Sequence, residues 1–248
     1  TNWTEQAKLT ASDAASLDQF GRSVAIHGDY AVVGAPVKNS NKGSAYIFHR
    51  SGTSTWTEQD ILTTSDNNVG YFGANVDIYE DYAIVGAPYT TTNNKSRAGG
   101  AYVFKRSGTE WTEQAKLIDS NNVANNYFGT DVAIYENYAL VGDQSDVPNW
   151  QYKAGSVYIF TRDETNGTST WTEKKRIVAS DADQNDYFGH SVDVNDKDII
   201  IGAPHCDDDD EAPTESGAAY IFEIPTDDII YDGENFGYSV GLYEEYAV

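Results

Sequence analysis

Methionine is absent from the 248 residues and cysteine occurs once, at Cys206. A single cysteine permits neither an intramolecular disulfide nor a CxxC zinc or redox site, so the fold must rest on its hydrophobic core. Basic residues are scarce: 16 Lys and Arg stand against 39 Asp and Glu, a net charge of −23. That field repels DNA, RNA and anionic membrane surfaces, so no nucleic-acid partner is expected. No apolar run approaches the roughly 18 residues of a membrane helix, and no membrane insertion of this segment is expected. Sustained 3.6-residue hydrophobic periodicity is also missing, which excludes helical solenoids. Thr1 opens no signal-peptide pattern. The lack of Met even at position 1 fits a secreted chain whose leader has been removed.

What is present is a repeat. Phe-Gly recurs at 20–21, 72–73, 128–129, 188–189 and 236–237, with spacings of 52, 56, 60 and 48 residues, within or just beyond the periods of propeller blades and solenoid units. Each Phe-Gly opens an alternating run (SVAI, NVDI, DVAI, SVDV, SVGL), then a short polar turn, then a more continuously apolar run such as YAVVGAP, YAIVGAP or IIIGAP. The pair predicts a hairpin whose second strand is buried on both faces. A third strand follows as GSAYIF, GGAYVF, GSVYIF and GAAYIF. A fourth, WTEQAKL at 3–9, WTEQDIL at 56–62, WTEQAKL at 111–117 and WTEKKRI at 171–177, alternates apolar with charged positions, as suits an outer strand with one wet face. The reading is an all-β chain, a β-propeller of four-stranded antiparallel blades, with about five units of which the last is incomplete. The units fall at approximately 1–52, 53–107, 108–165, 166–224 and 225–248.

These motifs resemble FG-GAP repeats, the blade type of the integrin α-chain β-propeller. Phe-Gly is paired with Gly-Ala-Pro at 34–36, 86–88 and 202–204, while the third copy departs to Gly142-Asp143-Gln144. The resemblance implies an extracellular protein, secreted or at the cell surface. It also implies calcium on a DxDxDG loop between the first and second strands. That loop is absent: HGDY, YEDY, YENY and YEEY each offer at most two carboxylates, too few to wrap a calcium ion. No cofactor is therefore required, although Asp181, Asp183 and Asp186 in DADQND could present several oxygens to Ca2+ from one compact loop.

Catalysis finds little support. The four histidines are split between two distant units, His27 and His49 in the first and His190 and His205 in the fourth, and no HExxH, GxSxG or P-loop pattern occurs. His205 beside Cys206 invites a nucleophile pair but shows no third orienting residue. Aromatics at repeat positions, such as Tyr46, Tyr102, Tyr158 and Tyr220, are expected to fill the space between blades. Trp150 and Tyr152 lie outside the repeat pattern, in the long third-copy loop, and are candidates for contact with a protein or glycan ligand. Asn2, Asn94 and Asn166 each open an Asn-X-Ser/Thr glycosylation sequon.

The sequence opens on a fourth strand, Trp3 to Leu9, and stops at Val248, where other copies continue into VGAP. Three expectations stand side by side: a fragment of a longer propeller, closure as five blades, or strand complementation between copies. In the last, Trp3 to Leu9 of one chain meets Phe236 to Val248 of the next and builds a head-to-tail filament. The expected function is a non-catalytic adhesion, recognition or structural module that presents variable loops on a rigid scaffold. Its partners would be a protein or glycan ligand, or other copies of itself.

Overall fold

The computed structural model describes residues 3–165, 168–206 and 216–225. Among them, β1 (Val24–His27), β2 (Tyr30–Ala35), β3 (Ser44–Ser51) and β4 (Thr55–Leu62) form the first antiparallel sheet, in sequence order. The second sheet holds β5 (Val76–Tyr79), β6 (Tyr82–Gly86), β7 (Ala101–Ser107) and β8 (Glu110–Leu117). The third holds β9 (Val132–Tyr135), β10 (Tyr138–Asp143), β11 (Ser156–Thr165) and β12 (Thr168–Ile177). In the fourth, β13 (Ser191–Val194), β14 (Asp198–Ala203) and β15 (Ala218–Glu223) are described. The short strands β1, β5, β9 and β13 neighbour one another in series, so each sheet is a blade standing edge-on to a common axis.

The blades stack because the second strands are apolar on both faces. In β2, Val32 joins a core shared with the second blade, while Ala31 and Val33 face the other way. The same split places Ala83 and Val85 against the first blade, and Tyr82 and Ile84 against the third. Each Phe of Phe-Gly sits at a blade junction: Phe72, Phe128 and Phe188 are at most 1% exposed. Each is edge-on to the Tyr and Phe of its own third strand, as Phe128 is to Tyr158 at 5.5 Å and to Phe160 at 6.1 Å.

Two further ties repeat from blade to blade. A β-bulge interrupts every described β3–β4-type pairing, at Ile47/Phe48, Val103/Phe104 and Ile159/Phe160. The bulge leaves Gln59 and Gln114 without a cross-strand partner and re-aims their side chains. Their Oε1 atoms accept from the next blade's indoles, Trp111 Nε1 at 3.2 Å and Trp171 Nε1 at 3.0 Å. Beside them, Tyr hydroxyls on third strands donate to carboxylates on the incoming connector: Tyr46 to Asp13 at 2.7 Å, Tyr102 to Asp66 at 3.0 Å, Tyr220 to Asp181 at 2.9 Å. In the third blade Asn121 donates to Tyr158 at 3.0 Å, and Tyr158 turns to Asp146 at 3.1 Å.

The first expected strand needs correction. Trp3 to Leu9 lies outside regular structure, with Trp3 fully exposed, because no third strand stands beside it among the described residues. It nevertheless keeps the outer-strand place, since Gln6 Oε1 accepts from Trp56 Nε1 at 2.9 Å as Gln59 does from Trp111. Each blade therefore runs from a Phe-Gly to the next WTE strand and straddles two sequence units. The arc is open at both described ends. Val24 and Ile26 are 68% and 65% exposed, whereas Val76, Ile78, Val132 and Ile134 are at most 7%. Ile200 and Ile221 on the fourth blade are likewise 45% and 70% exposed. Phe236 and Val248, with the fifth unit from 226 on, lie outside the described residues.

Candidate functional site

Four blades meeting at an axis leave a funnel between their inner strands. Its mouth is a concavity of about 1170 Å³ lined symmetrically by the residue before each Phe-Gly, the residues after it, and the residues after each second strand. The first set comprises Gln19, Tyr71, Tyr127 and Tyr187, all left-handed, with φ of 58°, 59°, 63° and 57°. A bulky aromatic in that region is uncommon, and the left-handed conformation costs roughly 1–2 kcal/mol per residue. The strain is held by the preceding blade. The N–H of Tyr71 donates to Asn41 O at 2.8 Å, that of Tyr127 to Arg97 O at 3.1 Å, and that of Tyr187 to Lys153 O at 3.1 Å. Fixing these three side chains on the rim is what the strain achieves, and such stored strain clusters at ligand-binding sites.

The tyrosines do not stand alone. Tyr71, Tyr89 and Tyr127 form a continuous aromatic edge, with centroids 4.5 and 5.1 Å apart, and Arg97 lies over Tyr89 at 5.7 Å. Across the mouth, Lys153 Nζ donates to Tyr187 OH at 3.3 Å and lies over that ring at 5.5 Å. That hydrogen bond holds the Lys153 ammonium above its ordinary pKa. The charged lining is Arg22, Lys153 and Asp131, with His190 beside them. In a chain with more than twice as many acids as bases, the mouth is thus locally cationic. Aromatic faces, amides and hydroxyls on a fixed rim suit recognition of a glycan or a polar peptide.

Deeper in the funnel, Asp77, Asp131 and Asp193 line a narrower space of about 330 Å³. Asp77 Oδ2 accepts from Ile134 N and Asp131 Oδ2 from Val192 N, both at 2.8 Å, so each carboxylate ties its blade to the next. Burial raises both carboxyls to about 6, against those backbone donors, and the Asp193 charge adds to the rise.

The sequence candidates fall as follows. Trp150, the last residue of the short turn Pro148–Trp150, and Tyr152 just after it are 95% and 56% exposed, outside the funnel lining. Asn94 is exposed in a tight turn; Asn2 and Asn166 lie outside the described residues. Asp181, Asp183 and Asp186 are not brought together as a cage. Asp181 is exposed and accepts from Tyr220, while Asp186 is buried and caps the N–H of Asp183 at 2.7 Å. Among the described residues no three His, Cys, Asp or Glu side chains are grouped to hold a metal ion. Cys206 Sγ meets Tyr220 OH at 3.2 Å and the His205 ring packs on Tyr187 at 5.2 Å, so the two point to different neighbours.

Sequence reasoning missed the rim. The available signal was Tyr directly before Phe-Gly in three copies, which the apolar alternation that follows it overshadows. It also passed over Asp119 and marked Asp143 only as a departure from Gly-Ala-Pro, without a role; the two are 2% and 0% exposed.

In comparison with known families, the family described as FG-GAP repeat matches residues 3–48, 56–104, 111–160 and 171–222. No curated protein matches the chain.

Proposed function

The chain belongs to the FG-GAP repeat family, and from that membership we propose that it is a non-catalytic recognition module working outside the cell. Its ligand is a glycan or a polar protein segment seated in the funnel mouth. One observation carries this reading: three bulky tyrosines, held left-handed by hydrogen bonds to the preceding blade, line the same concavity. Family membership supports the extracellular setting. No helix among the described residues is long and apolar enough to cross a membrane. Trp150 and Tyr152 extend the contact surface beyond the rim.

The test pairs a glycan array and a polar peptide library with two variants, Tyr71→Gly and Tyr127→Gly. Glycine relieves the left-handed strain, so both variants fold with stability within about 1 kcal/mol of the parent. Binding should fall at least tenfold in each. Ligands that bind both variants as tightly as the parent would place recognition elsewhere, and an array and library with no binder would remove this reading.

A second reading has its own observation. The apolar faces at Val24 and Ile26 and at Ile200 and Ile221 are open, and open strand-bearing faces template association. Under it, copies join head to tail and the protein is a filament subunit. Light scattering at rising concentration separates the two: growing particle mass favours assembly, and constant mass favours the recognition module.

A further inference from the structure

The third copy breaks the repeat at a fully buried position. Where the others place Ala35, Ala87 and Ala203, each 0% exposed, it places Asp143, also 0% exposed. Burying a carboxylate costs several kcal/mol unless an opposite charge and hydrogen bonds compensate it. Two more acids share the site, Asp119 and Asp146, 2% and 3% exposed.

Asp146 is satisfied: it accepts from Ser156 Oγ at 2.5 Å, Tyr158 OH at 3.1 Å and Val147 N at 2.8 Å, and pairs with Arg176 at 2.5 Å. The other two are not. Both carboxylate oxygens of Asp143, Oδ2 of Asp119 and the amide Oδ1 of Asn122 are buried with no hydrogen-bond partner. Asn122, 7% exposed, is fixed in the same turn because its N–H donates to Asp119 Oδ1. Burial, with the Asp146 and Asp119 charges beside it, pushes the Asp143 carboxyl well above the ordinary carboxylate range. Ionised carboxylates gathered in a buried site need positive charge among them.

The first and second blades supply their cation from the chain. Lys38 sits between Asp13 and Asp18 at 3.1 and 3.2 Å, and Lys116 meets Asp66 at 2.6 Å. In the third blade Arg176 is engaged by Asp146, and two carboxylates remain uncompensated.

We propose that the orphaned oxygens of Asp119, Asp143 and Asn122 bind a calcium ion. The donors are all oxygen, which selects a hard cation over zinc. Calcium accepts bidentate carboxylates and irregular geometry, whereas magnesium demands a near-ideal octahedron. Two carboxylates suffice to balance its charge, with solvent completing the shell. The site lies after the second strand and not in the hairpin loop that the DxDxDG pattern marks. Asp119 belongs to the connector leaving β8, and Asp143 closes β10. The ion therefore ties the second-to-third blade connector to the loop that carries Gln144, Ser145 and Lys153 into the funnel mouth.

The test uses the whole chain, CaCl2 and EGTA, with Asp143→Ala, which installs the residue of the other three copies, and Asp143→Asn as a second variant. Calorimetry should give one calcium per parent chain and none in Asp143→Ala, with affinity at least tenfold weaker in Asp143→Asn. At calcium 100-fold above its dissociation constant the folding equilibrium shifts about 100-fold, a rise in Tm of roughly 5–10 °C. In EGTA, Asp143→Ala should melt above the parent, because it lacks the uncompensated charge. Equal calcium uptake by parent and Asp143→Ala would overturn the proposal. So would magnesium stabilising the parent as strongly as calcium. Indifference to both ions, with the parent alone gaining stability from pH 7 to 5, would put a shared proton in place of the ion.

Discussion

Gly99 and Gly108 both have positive φ, +90° and +65°, and differ only in what surrounds them. At Gly108 an added Cβ meets nothing within 4 Å, whereas at Gly99 it would fall against the Phe128 carbonyl oxygen and 2.6 Å from the Phe128 nitrogen. The backbones approach this closely because Gly99 and Phe128 form a parallel bridge between the second and third blades. Replacing each by Ala separates dihedral strain from interface closure. Gly108→Ala carries the dihedral cost alone, about 1 kcal/mol.

Gly99→Ala carries that cost and forces the blades apart, loosening Phe128 from Tyr158 and Phe160. A buried aromatic that loses its packing costs about 3–5 kcal/mol in the limit of full truncation, so the total is expected at roughly 3–5 kcal/mol. Urea unfolding followed by tryptophan fluorescence reads both. At a slope of about 3 kcal/mol/M the midpoint falls by roughly 1–1.5 M for Gly99→Ala and about 0.3 M for Gly108→Ala. Equal shifts would refute the argument that the glycine serves the blade junction.

Two other outcomes follow from the same geometry. Asp77 and Asp131 sit near 6 in the fold against an ordinary 3.8, so the native state binds more protons than the unfolded chain between those values. Stability should therefore fall as pH rises from about 4 to 6 and stay level above, by about 1–3 kcal/mol per group; urea midpoints across that range should flatten in Asp77→Asn, and an unchanged slope would contradict the assignment. Tyr102→Phe removes the donor to Asp66 but leaves Lys116 in place, so a loss of about 1 kcal/mol is expected by thermal unfolding, and no loss would show the tie to be idle.

Blade architecture was legible because each strand carries its own period. Alternation marked β1 and its equivalents, continuous apolarity marked β2, and the charged alternation of WTEQ marked the outer strand. Features set by contacts between blades were not legible. Whether Tyr71 is left-handed is decided by Asn41 O, 30 positions upstream, and no local propensity records that partner. Gln59 reads as one more polar residue on a wet face until the bulge turns it to Trp111. The segment from Trp3 to Leu9 shows the converse. Its pattern is that of a strand, yet a strand exists only when a neighbour accepts its ladder, and among the described residues none stands there.

Repetition also supplies an internal control that a single-copy fold lacks. Positions on which the copies agree have a packing cause: Phe at the junction, Gly at the bridge, Trp to Gln, Tyr to an acidic or amide side chain. Packing cannot explain the positions on which they disagree, because the same blade is built without them. Gln19 stands where three copies have Tyr, Gln144 where three have Pro, and Asp143 where three have Ala. Gln19 and Gln144 line the funnel mouth, and Asp143 adjoins Gln144 immediately beneath it. A scaffold repeated for stability and varied at one end of its axis is the arrangement expected when loops carry recognition and strands only hold them in place. The departures thus fall on one face from three unrelated chemistries, an amide, a lost proline and a buried charge, and it is the face on which the proposed recognition rests.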